Sequence, residues 1–258
     1  MSTSASPFVW YELMTSDPAA ASAFYGQVIG WTTQPTGDPE RGYALLSTGS
    51  RPVAGLMPIP ALACAGGARP CWTGYIRVDD VDAQLQRVVA AGGALHRGAE
   101  DITGVGRFAV VTDPQGAAFV LFREAGDMAP PPGPAPMTPG HIGWHELHAQ
   151  DGVGAFAFYR EQFGWTPVRA MDMGPLGVYQ LFATGAQETG GIMTRMAATP
   201  VPFWLFYFIV EGIDTALVRV QQAGGTILQG PMEVPGGNWV SQCLDPQGAA
   251  FAMVAPRR

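Results

Sequence analysis

Asp113-Pro114-Gln115-Gly116-Ala117-Ala118-Phe119 returns letter for letter as Asp245-Pro246-Gln247-Gly248-Ala249-Ala250-Phe251, a displacement of 132 residues (245 − 113). Each copy reads as a tight turn feeding a strand. Proline presets φ after the aspartate, glycine takes the positive φ, and the apolar run that follows suits an extended chain. A heptapeptide repeated at this distance marks a duplicated domain, so the two halves can be laid over one another.

Working outward, the rest of the chain follows the same displacement within two residues. Trp10-Tyr11-Glu12-Leu13 answers Trp144-His145-Glu146-Leu147, and Phe24-Tyr25 with Gly30-Trp31 answers Phe158-Tyr159 with Gly164-Trp165. Trp72 and Tyr75 answer Trp204 and Tyr207, and Ala91-Gly92-Gly93 answers Ala223-Gly224-Gly225. Within the first half, residues 8–14 alternate as a strand, and Asp17-Pro18 opens a helix that stops at Gly30. That helix carries Ala20, Phe24 and Val28 inward. Strands follow over 43–48 and 53–59, and 60–70, rich in Ala, Gly and Pro, reads as a mobile loop. A second unit starts at Trp72, whose strand alternates Trp72, Gly74, Ile76 and Val78 against Thr73, Tyr75 and Arg77. Asp79-Asp80 then opens a helix with Leu85, Val88 and Val89 inward, and three short strands close the half. Each half is therefore strand, helix and three strands, done twice. The expected domains are residues 1–124 and 141–258, joined by a semi-rigid Pro-rich linker over 125–140.

Bulk composition agrees and excludes several function classes. The 258 residues suit two domains, and 47% hydrophobic against 14% charged residues describes a packed chain. A net charge of −7 leaves no basic footprint for nucleic acid. No apolar run spans a bilayer and no signal-peptide pattern opens the chain, so a cytoplasmic protein is expected, as monomer or homodimer. Cys64, Cys71 and Cys243 lack metal or disulfide spacing and read as free thiols. All fourteen basic residues are Arg, which removes Schiff-base lysines and the phosphate-loop lysine.

Together these landmarks resemble the vicinal oxygen chelate superfamily of glyoxalase I, bleomycin-resistance proteins and extradiol dioxygenases, in a tandem-domain bacterial branch. The resemblance implies an α+β fold of two tandem domains, each of two βαβββ modules whose curved sheets enclose a cavity. It also implies a divalent metal held at four strand positions, and those fall on Trp10 or Trp144, Gly55 or Gly191, Thr73 or Leu205, and Val120 or Ala252. None is a good ligand, so no cofactor is expected, or a divalent metal if the chain is instead a metal-dependent lyase or isomerase.

Two sets of residues compete as a site. His141, His145, Glu146 and His148 crowd together, but strand alternation lets only Glu146 and His148 converge. Glu12 and Glu146 occupy equivalent places facing the implied cavities. A buried carboxylate is costly unless paired; either Arg77, Tyr75 or Tyr207 satisfies it structurally, or it serves as an anchor or general base. Glu146, His148 and Glu12 are thus the catalytic candidates. Trp10, Trp144, Tyr75, Tyr207 and Arg77 are the ligand-binding candidates, flat aromatic walls being what a small-molecule pocket requires. Trp72 and Trp204 are assigned to the core. The expected function is binding of a small, mostly apolar organic molecule without a catalytic metal. The alternatives are a metal-dependent lyase or isomerase of the glyoxalase or epimerase type, and a hydroxylase or oxygenase accessory in secondary metabolism. The second half, with His148 where the first has Met14, is expected to be the more chemical of the two.

Overall fold

The computed structural model describes residues 5–37, 42–126, 133–197 and 199–258. Part of the expected linker, 127–132, lies outside the described residues.

The first half contains β1 (Phe8–Thr15), α1 (Pro18–Ile29), β2 (Thr32–Pro35), β3 (Ala44–Thr48), β4 (Arg51–Pro58), α2 (Ala61–Ala65), β5 (Cys71–Arg77), α3 (Val81–Ala90), β6 (Ala94–Ile102), β7 (Gly106–Thr112) and β8 (Ala118–Glu124). The second contains β9 (Ile142–Ala149), α4 (Gly152–Phe163), β10 (Thr166–Asp172), β11 (Val178–Ala183), β12 (Glu188–Thr194), β13 (Phe203–Ile209), α5 (Ile213–Gln222), β14 (Thr226–Glu233), β15 (Trp239–Leu244) and β16 (Ala250–Ala255). Among the described residues two eight-stranded sheets result, ordered β2-β3-β4-β1-β5-β8-β7-β6 and β10-β11-β12-β9-β13-β16-β15-β14. Neither sheet closes on itself. Among the described residues no helix is long and apolar enough to cross a membrane.

Helix starts follow the expected chemistry. Asp17 Oδ1 accepts from Ala20 N at 3.0 Å, Asp80 Oδ1 from Ala83 N at 3.0 Å and Asp151 Oδ1 from Val153 N at 3.1 Å. Four details differ from the expectation. The 60–70 stretch holds the short helix α2, because Ala61 to Ala65 are good helix formers behind Pro60. The inward face of α1 is Ala21, Phe24, Tyr25 and Val28 rather than one beginning at Ala20. Val89 of α3 is exposed, and the inward face there is Val81, Gln84 and Val88, since the helical period places 81, 84 and 88 together. Strand β2 is implied by the strand–helix–three-strand repeat but has no place in the sequence pattern, four residues of mixed polarity being too short to show a period.

Packing divides the chain into two compact units that cut across the sequence halves. One comprises Met1–Val9, Thr73–Pro131 and His145–Trp204; the other comprises Trp10–Trp72, Pro132–Trp144 and Leu205–Arg258. The repeated turn shows why. In the first unit Asp113 Oδ1 accepts from Gln115 N and Ala117 N at 2.8 and 2.9 Å, closing its own turn, with Gly116 at φ 99°. Its other oxygen accepts from Tyr159 of α4 at 3.2 Å, and Tyr159 in turn accepts from Trp204 Nε1 at 3.1 Å. Phe119 and Phe163 pack edge to face beside this chain. The second unit repeats it. Asp245 accepts from Gln247 N, Ala249 N and Tyr25 of α1, and Tyr25 accepts from Trp72 Nε1 at 2.8 Å. Trp31, Phe208 and Phe251 surround that Tyr25 ring. Trp72 and Trp204 are core residues, as the sequence suggested.

Burial raises the carboxyl groups of Asp113 and Asp245 above the ordinary aspartate range, against the lowering effect of their N–H and O–H donors. Each holds its proton more tightly folded than unfolded. Their contribution therefore favours the native state below the unfolded value near ~3.9 and is lost as pH rises through the raised native value. Urea unfolding above pH ~4 should contain this downward component, and Asp113→Asn with Asp245→Asn should flatten it. An unchanged slope in the double variant would show that both carboxyls titrate normally.

Candidate functional site

The register places Glu12 of β1 beside Gly55 of β4, and Glu146 of β9 beside Gly191 of β12. Each glycine has a tyrosine lying over it. A Cβ at Gly55 would overlap the Tyr43 hydroxyl, and one at Gly191 would overlap the Tyr179 ring. Glycine is needed at both places for that close approach, and it lets the tyrosine reach the glutamate.

In the first half, the Tyr43 hydroxyl bonds to Glu12 and accepts from Trp10 Nε1 at 3.1 Å. Burial first, and then the Glu12 charge, push the Tyr43 phenol upward, so it stays protonated and donates to the carboxylate. Met14 and Met57, cross-strand partners, continue the face. Trp10, Glu12, Met14, Tyr43 and Met57 are all half-buried, so this face is reachable from solvent.

The second half uses the same frame with one substitution. Tyr179 donates to Glu146 Oε2 at 2.9 Å, and Glu146 Oε1 accepts from His148 Nε2 at 2.8 Å. The His148 ring stacks on Phe203 at 4.8 Å and 5°. Tyr179, Met193 and His148 form one row across β11, β12 and β9. Glu146 and His148 are only 7% and 5% exposed, while Tyr179 and Phe203 at the edge of the cluster are half-buried, so the polar pair lies deeper than in the first half.

The remaining candidates are placed as follows. His145 points away from Glu146, stacks on Phe8 at 4.5 Å and sets Nδ1 2.8 Å from the Thr189 carbonyl. Burial pushes it down to about 4, so it is neutral near pH 7 and Nδ1 carries the donated proton. Trp144 is half-buried on β9. Tyr75 is buried against Phe122 at 5.7 Å, and Tyr207 is buried and accepts from Gln242 Nε2 at 3.3 Å. Arg77, expected as a partner of the glutamates, pairs instead with Glu124 at 3.2 Å because β5 carries it beside the end of β8. The residues sequence reasoning missed are Tyr43 and Tyr179. Their signal was a tyrosine twelve residues before a glycine in both halves (55 − 43 and 191 − 179).

Two concavities lie elsewhere. A groove of about 380 Å³ is lined by the β6–β7 hairpin and Arg107, Arg123 and Glu124. It is open to solvent, and Arg107 is already bonded to Asp82 and Asp101. A recess of about 180 Å³ lies between α4 and the β11–β12 face opposite Gly191.

The donor set does not fit the metal that the resemblance implies. Gly55 and Gly191 carry no donor, and tyrosines fill the space a ligating side chain would enter. Leu205, Val120 and Ala252 are apolar. Among the described residues no group of three or more His, Cys, Asp or Glu side chains converges as a metal cluster. Glu146 and His148 bond to one another instead.

Comparison with known proteins agrees with this duplicated architecture. Residues 10–122 match the Glyoxalase-like domain family, and residues 138–253 match the Glyoxalase/Bleomycin resistance protein/Dioxygenase superfamily. A protein of Mycobacterium tuberculosis named "Putative glyoxylase CFP32" is 32% identical over 96% of this chain and 94% of its own. The anthracycline biosynthesis protein DnrV of Streptomyces peucetius is 34% identical over 96% of this chain and 92% of its own. Among solved structures, the Mn(II)-bound glyoxalase from Novosphingobium aromaticivorans shares the fold at TM-score 0.66 and 18% identity, covering 98% of this chain and 82% of that one. Homoprotocatechuate 2,3-dioxygenase from Arthrobacter globiformis does so at 0.67 and 16%, covering 99% and 82%. Matched in both halves and by full-length relatives, the chain belongs to the Glyoxalase/Bleomycin resistance protein/Dioxygenase superfamily.

Proposed function

We propose that the chain binds a small, largely apolar organic molecule against its Glu–Tyr pairs, without a catalytic metal. The observation that carries this reading is the replacement at Gly55 and Gly191. Where the family places a metal ligand, a tyrosine hydroxyl anchors a glutamate amid Trp, Tyr and Met side chains. Such a face offers apolar area and a few fixed polar groups, which is what recognition of a small molecule needs. The anthracycline biosynthesis relatives favour a planar, polycyclic aromatic compound as that molecule. We further propose a cytoplasmic protein, acting as monomer or homodimer, with 1–124 and 141–258 as the duplicated domains.

Thermal shift against hydroxyanthraquinones and a metabolite panel tests the reading. A ligand at ~100 times its dissociation constant adds ~2.7 kcal/mol, a rise of several degrees for a chain of this size. Trp10→Ala with Trp144→Ala should lower affinity while the protein stays folded, both side chains being half-buried. Unfolding of the double variant would instead make them core residues. The Mn(II)-bound glyoxalase neighbour favours a second reading, a metal-dependent lyase or isomerase of the glyoxalase or epimerase type. The dioxygenase neighbours and anthracycline relatives together favour a third, a hydroxylase or oxygenase accessory in secondary metabolism. Elemental analysis of protein purified without chelator separates the first two. One tight divalent ion per half, with turnover of the methylglyoxal–glutathione adduct, would replace the binding reading by the second.

A further inference from the structure

The two Glu–Tyr pairs differ at one framework position, Met14 in the first half and His148 in the second, and that difference adds a nitrogen with nothing to bond. His148 Nε2 is committed to the Glu146 carboxylate at 2.8 Å, which fixes the tautomer with the proton on Nε2. Nδ1 is then a bare acceptor. It is buried, and among the described residues it has no hydrogen-bond partner. An unpaired acceptor in a side chain 95% buried is costly, and native structures keep one where it has work to do. The remaining groups around it are set in place: Phe203 stacks flat on the ring, and Tyr179 holds the second oxygen of Glu146.

We propose that His148 Nδ1 receives an acidic hydroxyl, that of a phenol or enol, from a ligand bound in the second half. This deepens the binding reading above and rests on it. When Nδ1 takes a proton, Nε2–H still faces the Glu146 carboxylate, so the imidazolium that forms is already paired. In the bound state the ligand O–H bond breaks, its electron pair stays on oxygen, and the proton bonds to Nδ1. The imidazolium then keeps its Nε2–H bond to Glu146. His148 is the residue that touches the ligand; Glu146 and Tyr179 position it. The first half, with Met14 in the same place, binds without taking a proton.

The probes are 4-nitrophenol and its methyl ether 4-nitroanisole, offered to the full chain at a pH where the free phenol is protonated. Wild type should bind the phenol at least about tenfold more tightly than the ether, and the bound phenol should show the phenolate absorption band. His148→Met copies the residue that the first half tolerates, so it should fold; it should bind both probes alike and lose the band. Glu146→Gln should lose the band too, since it removes the charge that stabilises the imidazolium. Equal binding of phenol and ether by wild type overturns this proposal and leaves the binding reading standing. A phenol preference that survives in His148→Met also overturns it. Binding of neither probe counts against both.

Discussion

Expressed separately, residues 1–126 and 133–258 are expected not to fold as monomers, although each contains a complete eight-stranded sheet by strand count. The reason is where the helices pack. In one compact unit α1 supplies Phe24 and Tyr25 to Phe251 and Asp245, and in the other α4 supplies Tyr159 and Phe163 to Phe119 and Asp113. Every one of those partnerships joins one half of the sequence to the other. Tyr25, Phe119, Tyr159, Phe163 and Phe251 are among the fully buried side chains, and fully burying each is worth ~1.5–3 kcal/mol. Five of them together rival the ~5–15 kcal/mol by which a domain is stable at all. Size-exclusion chromatography with near-ultraviolet circular dichroism reads the outcome. Each half alone should aggregate or dimerise, since a second copy offers the matching repeat surface. Mixing the refolded halves should restore the aromatic signal. A soluble monomeric half with a native-like near-ultraviolet spectrum would contradict the packing described.

The second large effect is expected at Tyr159. Its ring stacks on Trp165 at 4.8 Å and 12°, and its hydroxyl links Trp204 to Asp113. Tyr159→Ala leaves a cavity costing ~3–5 kcal/mol. It also strands an indole N–H and a carboxylate oxygen at ~1–3 kcal/mol each. The sum approaches the whole stability of the protein, so the variant should be largely unfolded at 37 °C. Tyr159→Phe isolates the polar part, because it keeps the ring and removes only the hydroxyl. Urea midpoints of Tyr159→Phe, Trp204→Phe and their combination form a cycle. Strong coupling is expected, since the second change removes the donor that the first one orphaned. Additive effects would mean that the hydroxyl bridge contributes little.

Much of this protein was legible in its sequence, and for identifiable reasons. Exact repetition needs no structure to be seen, so Asp113-Pro114-Gln115-Gly116 and its copy revealed the duplication and the strand–helix–three-strand order. Alternation along β9 separated His145 from Glu146 and His148, because successive side chains of a strand face opposite ways. Capping aspartates marked two helix starts, at Asp17 and Asp80. Positions 55, 191, 120 and 252 carry no good ligand side chain where the resemblance implies a metal.

Only the tertiary structure decided what those faces cover. Period and composition say which side of α1 or α4 is apolar, but not that Tyr25 reaches Asp245 and Tyr159 reaches Asp113 across the duplication. Nor could they show Tyr43 and Tyr179 filling the space over two glycines, since that contact depends on cross-strand register and not on neighbours in the chain. The same register sent Arg77 to Glu124, and left Glu146 bonded to a histidine and a tyrosine but Glu12 to a tyrosine. Local chemistry is written along the chain; the partners of a side chain are chosen by the fold.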